Sequence, residues 1–424
     1  MQLSISEAFT DAFVSFEGFV SEPRRALLSG DESLNSDAGG GGGMFLDKIH
    51  DSPAFEVFNL AASKQAKGEK VLSLAIGEPS FETPLPIVRA AYESMKSGGG
   101  HYTSAWGTKD LRDAMVWKVR RKNRIKAAEE NVIFLTTKLS IYASLLTLAK
   151  PGYEALLPDP GYYYSEPVVL SGGKPVRYKL AEDFSLDLDE VKARMTPRTR
   201  VVVVNTPSNP AGKVFGRKEL RGLLDLCLER GVKVISDEAY EDLVYEKRHV
   251  SIGSMEEGPA SVISLFSLSK SYAMTGWRAG YIAADAKTVR SVNRFLETAV
   301  TCFPPFILAA SAYAIRNCER YTARFREELK RRRALLEEGL SKVPALEGQG
   351  IEGAFYGFPR FRSRLGSREV ARRLLNEQNV AVLPGVIFGP SGEGHIRISF
   401  GSPPETIVEA TKRLRQFFKD GRSS

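Results

Sequence analysis

A lysine set among small hydroxyl residues, Ser267-Leu268-Ser269-Lys270-Ser271, is a candidate nucleophile. It follows Val262-Ile263-Ser264-Leu265-Phe266, an apolar, β-branched run that reads as a buried strand. Partial desolvation at such a position lowers an ammonium's pKa and frees the amine to attack a carbonyl. Arg278, eight residues on, is a fixed cation suited to a phosphate. A reactive amine beside a phosphate anchor points to an aldehyde cofactor that carries a phosphate, pyridoxal 5'-phosphate. Ser-x-x-Lys stretches also occur in solvated loops, so the rest of the chain must decide.

Two further runs end in polar residues of the right kinds. Val201–Val204 empties into Asn205-Thr206-Pro207-Ser208-Asn209-Pro210-Ala211-Gly212, a rigid loop bearing amide donors, although ordinary turns favour the same residues. Val232–Ile235 leads to Asp237, a carboxylate suited to holding a pyridine nitrogen protonated, which makes the ring an electron sink. Tyr240 falls one helical turn later, within reach of the same ring's hydroxyl; a capping aspartate with a packed tyrosine is the structural alternative. In His395-Ile396-Arg397-Ile398-Ser399 the isoleucines share one strand face and Arg397 and Ser399 the other. An arginine there suits a bidentate clamp on a substrate α-carboxylate, with an arginine on a surface strand as the structural alternative. Gly77, after the Val71–Ile76 run, would let backbone approach that carboxylate.

The elements that must position these residues alternate. Short apolar strands at 132–135, 155–157, 176–178, 201–204, 232–235 and 262–266 are each followed by an amphipathic segment. That pattern implies an α/β fold with a mainly parallel sheet covered on both faces, and ligands in such sheets sit beyond the carboxyl ends of the strands. Helices are expected at 45–67, 86–97, 111–124, 321–343 and 368–378, and further strands at 353–356 and 394–399. At 424 residues the chain is long enough for two domains, with 43% apolar and 26% charged residues, ordinary for a globular protein.

The net charge of +8 is unevenly spread, since residues 1–43 hold seven acids against two arginines. The basic remainder suits phosphates and carboxylates. Its densest cluster, Lys330–Arg333, is flanked by glutamates and reads as a solvated helix face, so no nucleic-acid partner is implied. Three cysteines form no CxxC pair, and with four histidines no metal-ligand cluster is evident, so no metal is expected. The longest apolar stretch, Phe303–Ile315, is too short for a bilayer. Reduced thiols and the lack of a secretory signal make a cytoplasmic location the expectation. Residues 1–43 end in Gly39–Gly43 and look appended, either as a fusion segment or as a native docking helix over Ile5–Val20.

Taken together, the order Asn209, Asp237, Tyr240, Lys270, Arg278 resembles the fold-type I, class I/II aminotransferases of the aspartate and aromatic kind. NTPSNPAG, SDEAYEDLVYE and SLSKSYAMTGWRAGY are similar to that family's best-known motifs. GAFYGFP and PGVIFGPSGEGHIRIS resemble its C-terminal ones, and the resemblance covers nearly all of Met44–Phe418. It implies a large domain on a mainly parallel seven-stranded sheet and a smaller α+β domain. The corresponding division is an appended segment at 1–43, an arm and small-domain part at 44–75, and the large cofactor-binding domain at 76–300. Connecting helices at 301–344 and a small C-terminal domain at 345–424 complete it.

The resemblance also implies roles. Lys270 would form the internal aldimine and shuttle the proton; Asp237 would pair with the pyridine nitrogen; Asn209 and Tyr240 would contact the 3'-oxygen. Ser267, Ser269 and Arg278 would bind phosphate, Tyr162 would stack on the ring, and Tyr102 would reach the phosphate of a neighbouring subunit, making a homodimer with shared sites. Gly77, Asn209 and Arg397 would meet the substrate. One place departs from the pattern: Leu135-Thr136-Thr137-Lys138-Leu139-Ser140 lacks the usual small-residue pair. Thr137 and Lys138 would still serve phosphate there, or Lys138 a substrate's distal carboxylate. The implied reaction is ping-pong transamination between an L-amino acid and a 2-oxo acid. Another pyridoxal enzyme of the fold, a carbon–sulfur β-lyase or a decarboxylase, is the alternative, with a non-catalytic sensor third.

Overall fold

The computed structural model describes residues 53–148, 150–348 and 350–419. The expected helix at Ile5–Val20 and the first residues of the expected arm lie outside them. In chain order come α1 (Pro53–Ala66), β1 (Leu72–Ser73), α2 (Leu85–Lys96), α3 (Lys109–Arg121), β2 (Val132–Phe134), α4 (Thr137–Leu148) and β3 (Glu154–Asp159). The alternation continues through α5 (Ser165–Leu170), β4 (Lys174–Lys179), α6 (Leu188–Arg194), β5 (Thr199–Asn205), α7 (Arg217–Glu229) and β6 (Lys233–Asp237). Then follow α8 (Gly258–Ser261), β7 (Val262–Ser267), the single turn α9 (Leu268–Ser271) and β8 (Gly280–Ala283).

These strands form one seven-stranded sheet in the order β2-β8-β7-β6-β5-β3-β4. Only β8 runs against its neighbours. The four valines of β5 show why the strands read as unbroken apolar runs. Val201 and Val203 pack on one side with Ile141 of α4 and with Val289, Val292 and Leu296. Val202 and Val204 pack on the other with Leu220, Leu223 and Leu224 of α7. With both faces buried, neither side of the strand tolerates polar residues. Because β3, β5, β6 and β7 are parallel, their carboxyl ends share one edge, and Asn205, Asp237 and Ser267 stand there together.

Sequence reasoning missed β8. Its four residues begin with a glycine and are too few for a period to show. Gly280 itself is needed: a methyl there would stand 2.7 Å from Phe266 O and from Thr137 Oγ1. The strand can therefore lie close against β7 and the start of α4 only as glycine.

After the sheet come α10 (Ala286–Ala299), α11 (Pro305–Asn317) and α12 (Glu319–Ser341). Asp285 starts α10 by accepting from the Thr288 amide at 3.0 Å. The rest of the chain holds β9 (Leu346–Glu347), β10 (Tyr356–Gly357), β11 (Arg360–Phe361), α13 (Ser367–Gln378), β12 (Val380–Ala381), β13 (Leu383–Pro384), β14 (Ile396–Ser399) and α14 (Pro404–Lys419). Its short strands pair as β10-β14-β13, β9 with β11, and β12 in parallel with β1 from the start of the chain. They pack with α12, α13 and α14 around Phe355, Phe400, Leu374 and Leu414.

The strand expected at 353–356 begins only at Tyr356. Ala354 adopts φ 56, and the Glu352 and Gly353 amides both turn aside to Gly212 O. A left-handed residue cannot continue an extended ladder. Among the described residues no helix is long and apolar enough to cross a membrane, and the three cysteines are unpaired.

Candidate active site

The carboxyl edge of the sheet opens into a cavity of about 290 Å³ between the sheet, α1 and the β13–β14 region. Of the residues singled out in the sequence, Gly77, Thr137, Lys138, Tyr162, Asn209, Asp237, Tyr240, Ser267, Ser269, Lys270, Arg278 and Arg397 all line it. Tyr102 does not; it is 88% exposed on the surface.

Lys270 is held by the short turn α9, which Ser267 caps by accepting from the Ser269 amide at 3.3 Å. Its ammonium donates to Gly77 O. Burial pulls its pKa down to about 8, and the Arg397 and Arg278 charges add to the effect against the opposing Glu78. The amine is thus far closer to its neutral, nucleophilic form than a surface lysine is.

Asp237, at the end of β6, is buried with two donors on its carboxylate: Tyr164 Oη at 2.8 Å and the Ala239 amide at 3.1 Å. Burial raises its pKa to about 6, which the two donors moderate. The asparagine loop is fixed from beneath, since Asn205 Nδ2 donates to Asp237 O at 3.0 Å and Asn205 Oδ1 accepts from the Asn209 amide at 2.7 Å. Asn205 so locks Asn209 and Asp237 to one another. The Thr206-Pro207 and Asn209-Pro210 bonds of this loop are cis.

Tyr240 Oη lies 2.8 Å from Tyr356 Oη, and burial holds both phenols neutral by raising their pKa. Tyr162 packs against Tyr163, ring centres 4.9 Å apart, at the cavity wall. Arg278 adopts φ 57, in the left-handed region that non-glycine residues rarely occupy, and donates to Thr275 O at 2.7 Å. Such backbone strain, about 1 kcal/mol or more, persists where surroundings fix a functional side chain.

Thr136 caps α4 by accepting from the Leu139 amide at 3.2 Å. The first amides of that helix have no intrahelical acceptor and carry the positive end of its dipole. They lie with Thr137, Ser267, Ser269 and Arg278 along the same cavity. Such a grouping of helix start, hydroxyls and guanidinium suits an anion without the small-residue pair.

Arg397 comes from β14 and is 4% exposed. Nη1 donates to Asn209 Oδ1 at 3.0 Å and Nη2 to Ala75 O. The guanidinium lies over the Tyr356 ring, 4.3 Å from its centre, and Nε is buried without a partner. Among the described residues no carboxylate pairs with it. A buried guanidinium lacking a counterion is costly unless a ligand supplies one.

Sequence reasoning missed several wall residues. Tyr163, at the wall, and Tyr164, buried behind it on Asp237, are the second and third members of a run of three tyrosines, among which only the foremost was singled out. Tyr356 lies within GAFYGFP, a motif noted without a role. Phe55 and Phe58 bring α1 to the cavity, and their i, i+3 spacing is the signal that places both on one helix face.

A family model described as aminotransferase class I and II matches residues 69–414. An aromatic-amino-acid aminotransferase 2 of Thermococcus litoralis is 36% identical over 88% of this chain and 97% of its own. An aspartate aminotransferase of Pyrococcus abyssi is 35% identical with the same coverage. Among solved structures, an aromatic aminotransferase from Pyrococcus horikoshii superposes with a TM-score of 0.82 at 35% identity, covering 86% of this chain and 100% of that one. A cavity that gathers a depressed amine, a buried carboxylate, an anion cradle and an unpaired guanidinium at the edge of such a sheet has a family to match: the chain belongs to the class I and II aminotransferases, and it is a pyridoxal-phosphate-dependent transaminase working between amino acids and 2-oxo acids.

Proposed function

We propose that Lys270, Asp237, Tyr240, Asn209 and Arg397 carry the reaction in the roles their surroundings support. The buried Arg397 guanidinium, without a carboxylate partner and close enough to depress the pKa of Lys270, is the observation that carries this reading.

The residues present fit pyridoxal phosphate. The cavity offers hydroxyls, a helix start and Arg278 for the phosphate, Asp237 for the ring nitrogen, and Tyr240 and Asn209 for the ring oxygen. Bound there, the cofactor supplies an electron sink for the pair released when a substrate Cα–H bond breaks. Asp237, kept acceptor-ready by Tyr164 and the Ala239 amide, holds a proton on the ring nitrogen. Tyr240, a neutral phenol held by Tyr356, donates to ring oxygen. Arg397 takes the substrate α-carboxylate and so fixes which substrate bond faces Lys270. Lys270, its pKa brought down near working pH, takes the Cα proton at Nζ and gives it back in the course of the exchange. Amino donor and 2-oxo acceptor use the same clamp in turn, a ping-pong order.

The cavity lining includes the apolar side chains Phe55, Phe58, Ile141 and Leu383, with the exposed Lys138 as a further cation. An apolar wall with one cation supports aromatic donors and a dicarboxylic acceptor such as 2-oxoglutarate. A panel of amino donors against 2-oxoglutarate and pyruvate tests this: aromatic donors are expected to exceed alanine in kcat/KM by tenfold or more, and equal values would remove the apolar-wall reading.

The working form in this proposal is a cytosolic homodimer, supported by Tyr102, which stands 88% exposed and away from its own cavity. The division into a large domain over 76–300 and a small one over 345–424 belongs to the same reading, supported by the separate sheets and by the β1–β12 pairing. If Tyr102 completes the partner's phosphate site, Tyr102→Ala and Lys270→Ala chains mixed into heterodimers rebuild one intact site. Cofactor affinity and activity at that site should then return to wild-type values. A mixture no better than Tyr102→Ala alone would show that the tyrosine serves its own chain.

A further inference from the structure

The segment that carries Asp237 and Tyr240 has a second set of side chains bonded elsewhere. Glu238 is fully buried; its Oε1 accepts from Ser236 Oγ at 3.0 Å, and its Oε2 accepts from His249 Nε2 at 2.7 Å and from Ser251 Oγ. Glu241 pairs with the Lys118 ammonium of α3 and accepts from Asn123 Nδ2. Asn123 joins the two carboxylates, because it also donates to Ser251 Oγ at 2.9 Å and accepts from Lys118 at 3.2 Å. All of these groups are at least nine-tenths buried apart from the edge of the imidazole, and none touches the cavity.

The ligand-capable atoms of Glu238, Glu241 and His249 lie within 4.8 Å of one another. The cation in this group is already present as Lys118, so the arrangement is a closed charge network and not a metal site. Burial pulls the His249 imidazolium towards neutrality, yet the bond to Glu238 and its charge outweigh that and raise the pKa.

We propose that this network, acting through Glu238, is the positioning device that sets where Asp237 and Tyr240 stand against the cofactor ring. The inference rests on the roles given to those two residues above. Between them lie only Glu238 and Ala239, so the backbone has little freedom once Glu238 is fixed. Their own partners sit at hydrogen-bond distance, Tyr164 at 2.8 Å and Tyr356 at 2.8 Å, and tolerate little displacement. A buried carboxylate that loses a donor moves to recover one, and its neighbours move with it.

The test titrates apoprotein with pyridoxal phosphate and follows the turnover of the reconstituted enzyme. His249→Leu removes the donor; His249→Gln keeps an amide at the reach of Nε2. The leucine variant is expected to raise the cofactor Kd about tenfold or more and to lower kcat, with the amino-donor KM within twofold, since Arg397 is untouched. The pH at which the bound cofactor's visible absorbance titrates should move with it. The glutamine variant should recover most of both. A leucine variant whose Tm falls while cofactor Kd and absorbance titration stay at wild-type values overturns the proposal. If it does not fold, Ser251→Ala, which deletes a smaller donor to the same oxygen, carries the same two outcomes. Asp237→Asn is measured alongside. If Asp237→Asn leaves cofactor Kd and absorbance unchanged, the role of Asp237 itself is wrong; if it alters them and the network variants do not, only the positioning role is.

Discussion

Lys270→Ala is expected to lose transamination by more than about 10⁴-fold, because both the covalent anchor and the proton carrier go with one side chain. Single-turnover spectra of the variant with an amino donor measure this directly. Borohydride treatment of the wild type followed by peptide mapping should find the cofactor fixed to Lys270; recovery on Lys138 or any other lysine would sink the assignment. The same residue sets a pH dependence. Its pKa is depressed to about 8 from an ordinary value of 10.5, so the neutral amine appears two to three pH units earlier than on a surface lysine. At pH 7.5 about a quarter of the chains carry it uncharged, against about one in a thousand for an unperturbed lysine. Capture of cofactor by apoprotein should therefore quicken up to about pH 8 and level off above it. A rate still climbing tenfold per unit at pH 9 would mean that the cavity does not desolvate the amine.

Arg397→Ala is expected to lower kcat/KM for amino acids by about 10²- to 10³-fold, corresponding to about 3–4 kcal/mol for a desolvated, bidentate carboxylate contact. Most of the loss should sit in KM, with cofactor affinity changing far less, since no cofactor-binding group proposed above other than Asn209 leans on the guanidinium. Arg397→Lys should restore only part of it, because a lysine cannot present two parallel donors. An amino-donor KM unchanged in the alanine variant would remove the clamp.

How much of this was legible beforehand depended on whether chemistry or contact defined the residue. Lys270, Asp237 and Asn209 stand at or just beyond the ends of strands whose apolar runs are plain in the sequence, and Arg397 alternates with two isoleucines within one, so type and place together marked them. Thr137 could be named although its loop departs from the usual pattern, because a helix start binds anions through backbone that any residue supplies. Contacts were another matter. Nothing in three consecutive tyrosines says that Tyr164 reaches Asp237 while Tyr163 stacks on Phe388 at 5.6 Å. The pairing of Glu238 with His249 depends on the path of the chain through 242–249, which periodicity does not describe. The left-handed backbone at Arg278 and Ala354 is likewise invisible where glycine is absent. β8 escaped notice because four residues carry too little pattern to tell a strand from a link.

The pairing of β1 with β12 places almost the whole described chain between two hydrogen-bonded partners. All seven strands of the large sheet are complete by Ala283, so that sheet is free to form on the ribosome while the C-terminal residues are still being joined. β1 and the Ala75 carbonyl that braces Arg397 must wait for Val380–Ala381 and for Arg397 itself. The proposed substrate clamp is therefore assembled later than the sheet. A chain broken off between Ala283 and Arg397 would leave the ribosome with the strands of its sheet complete and the clamp missing.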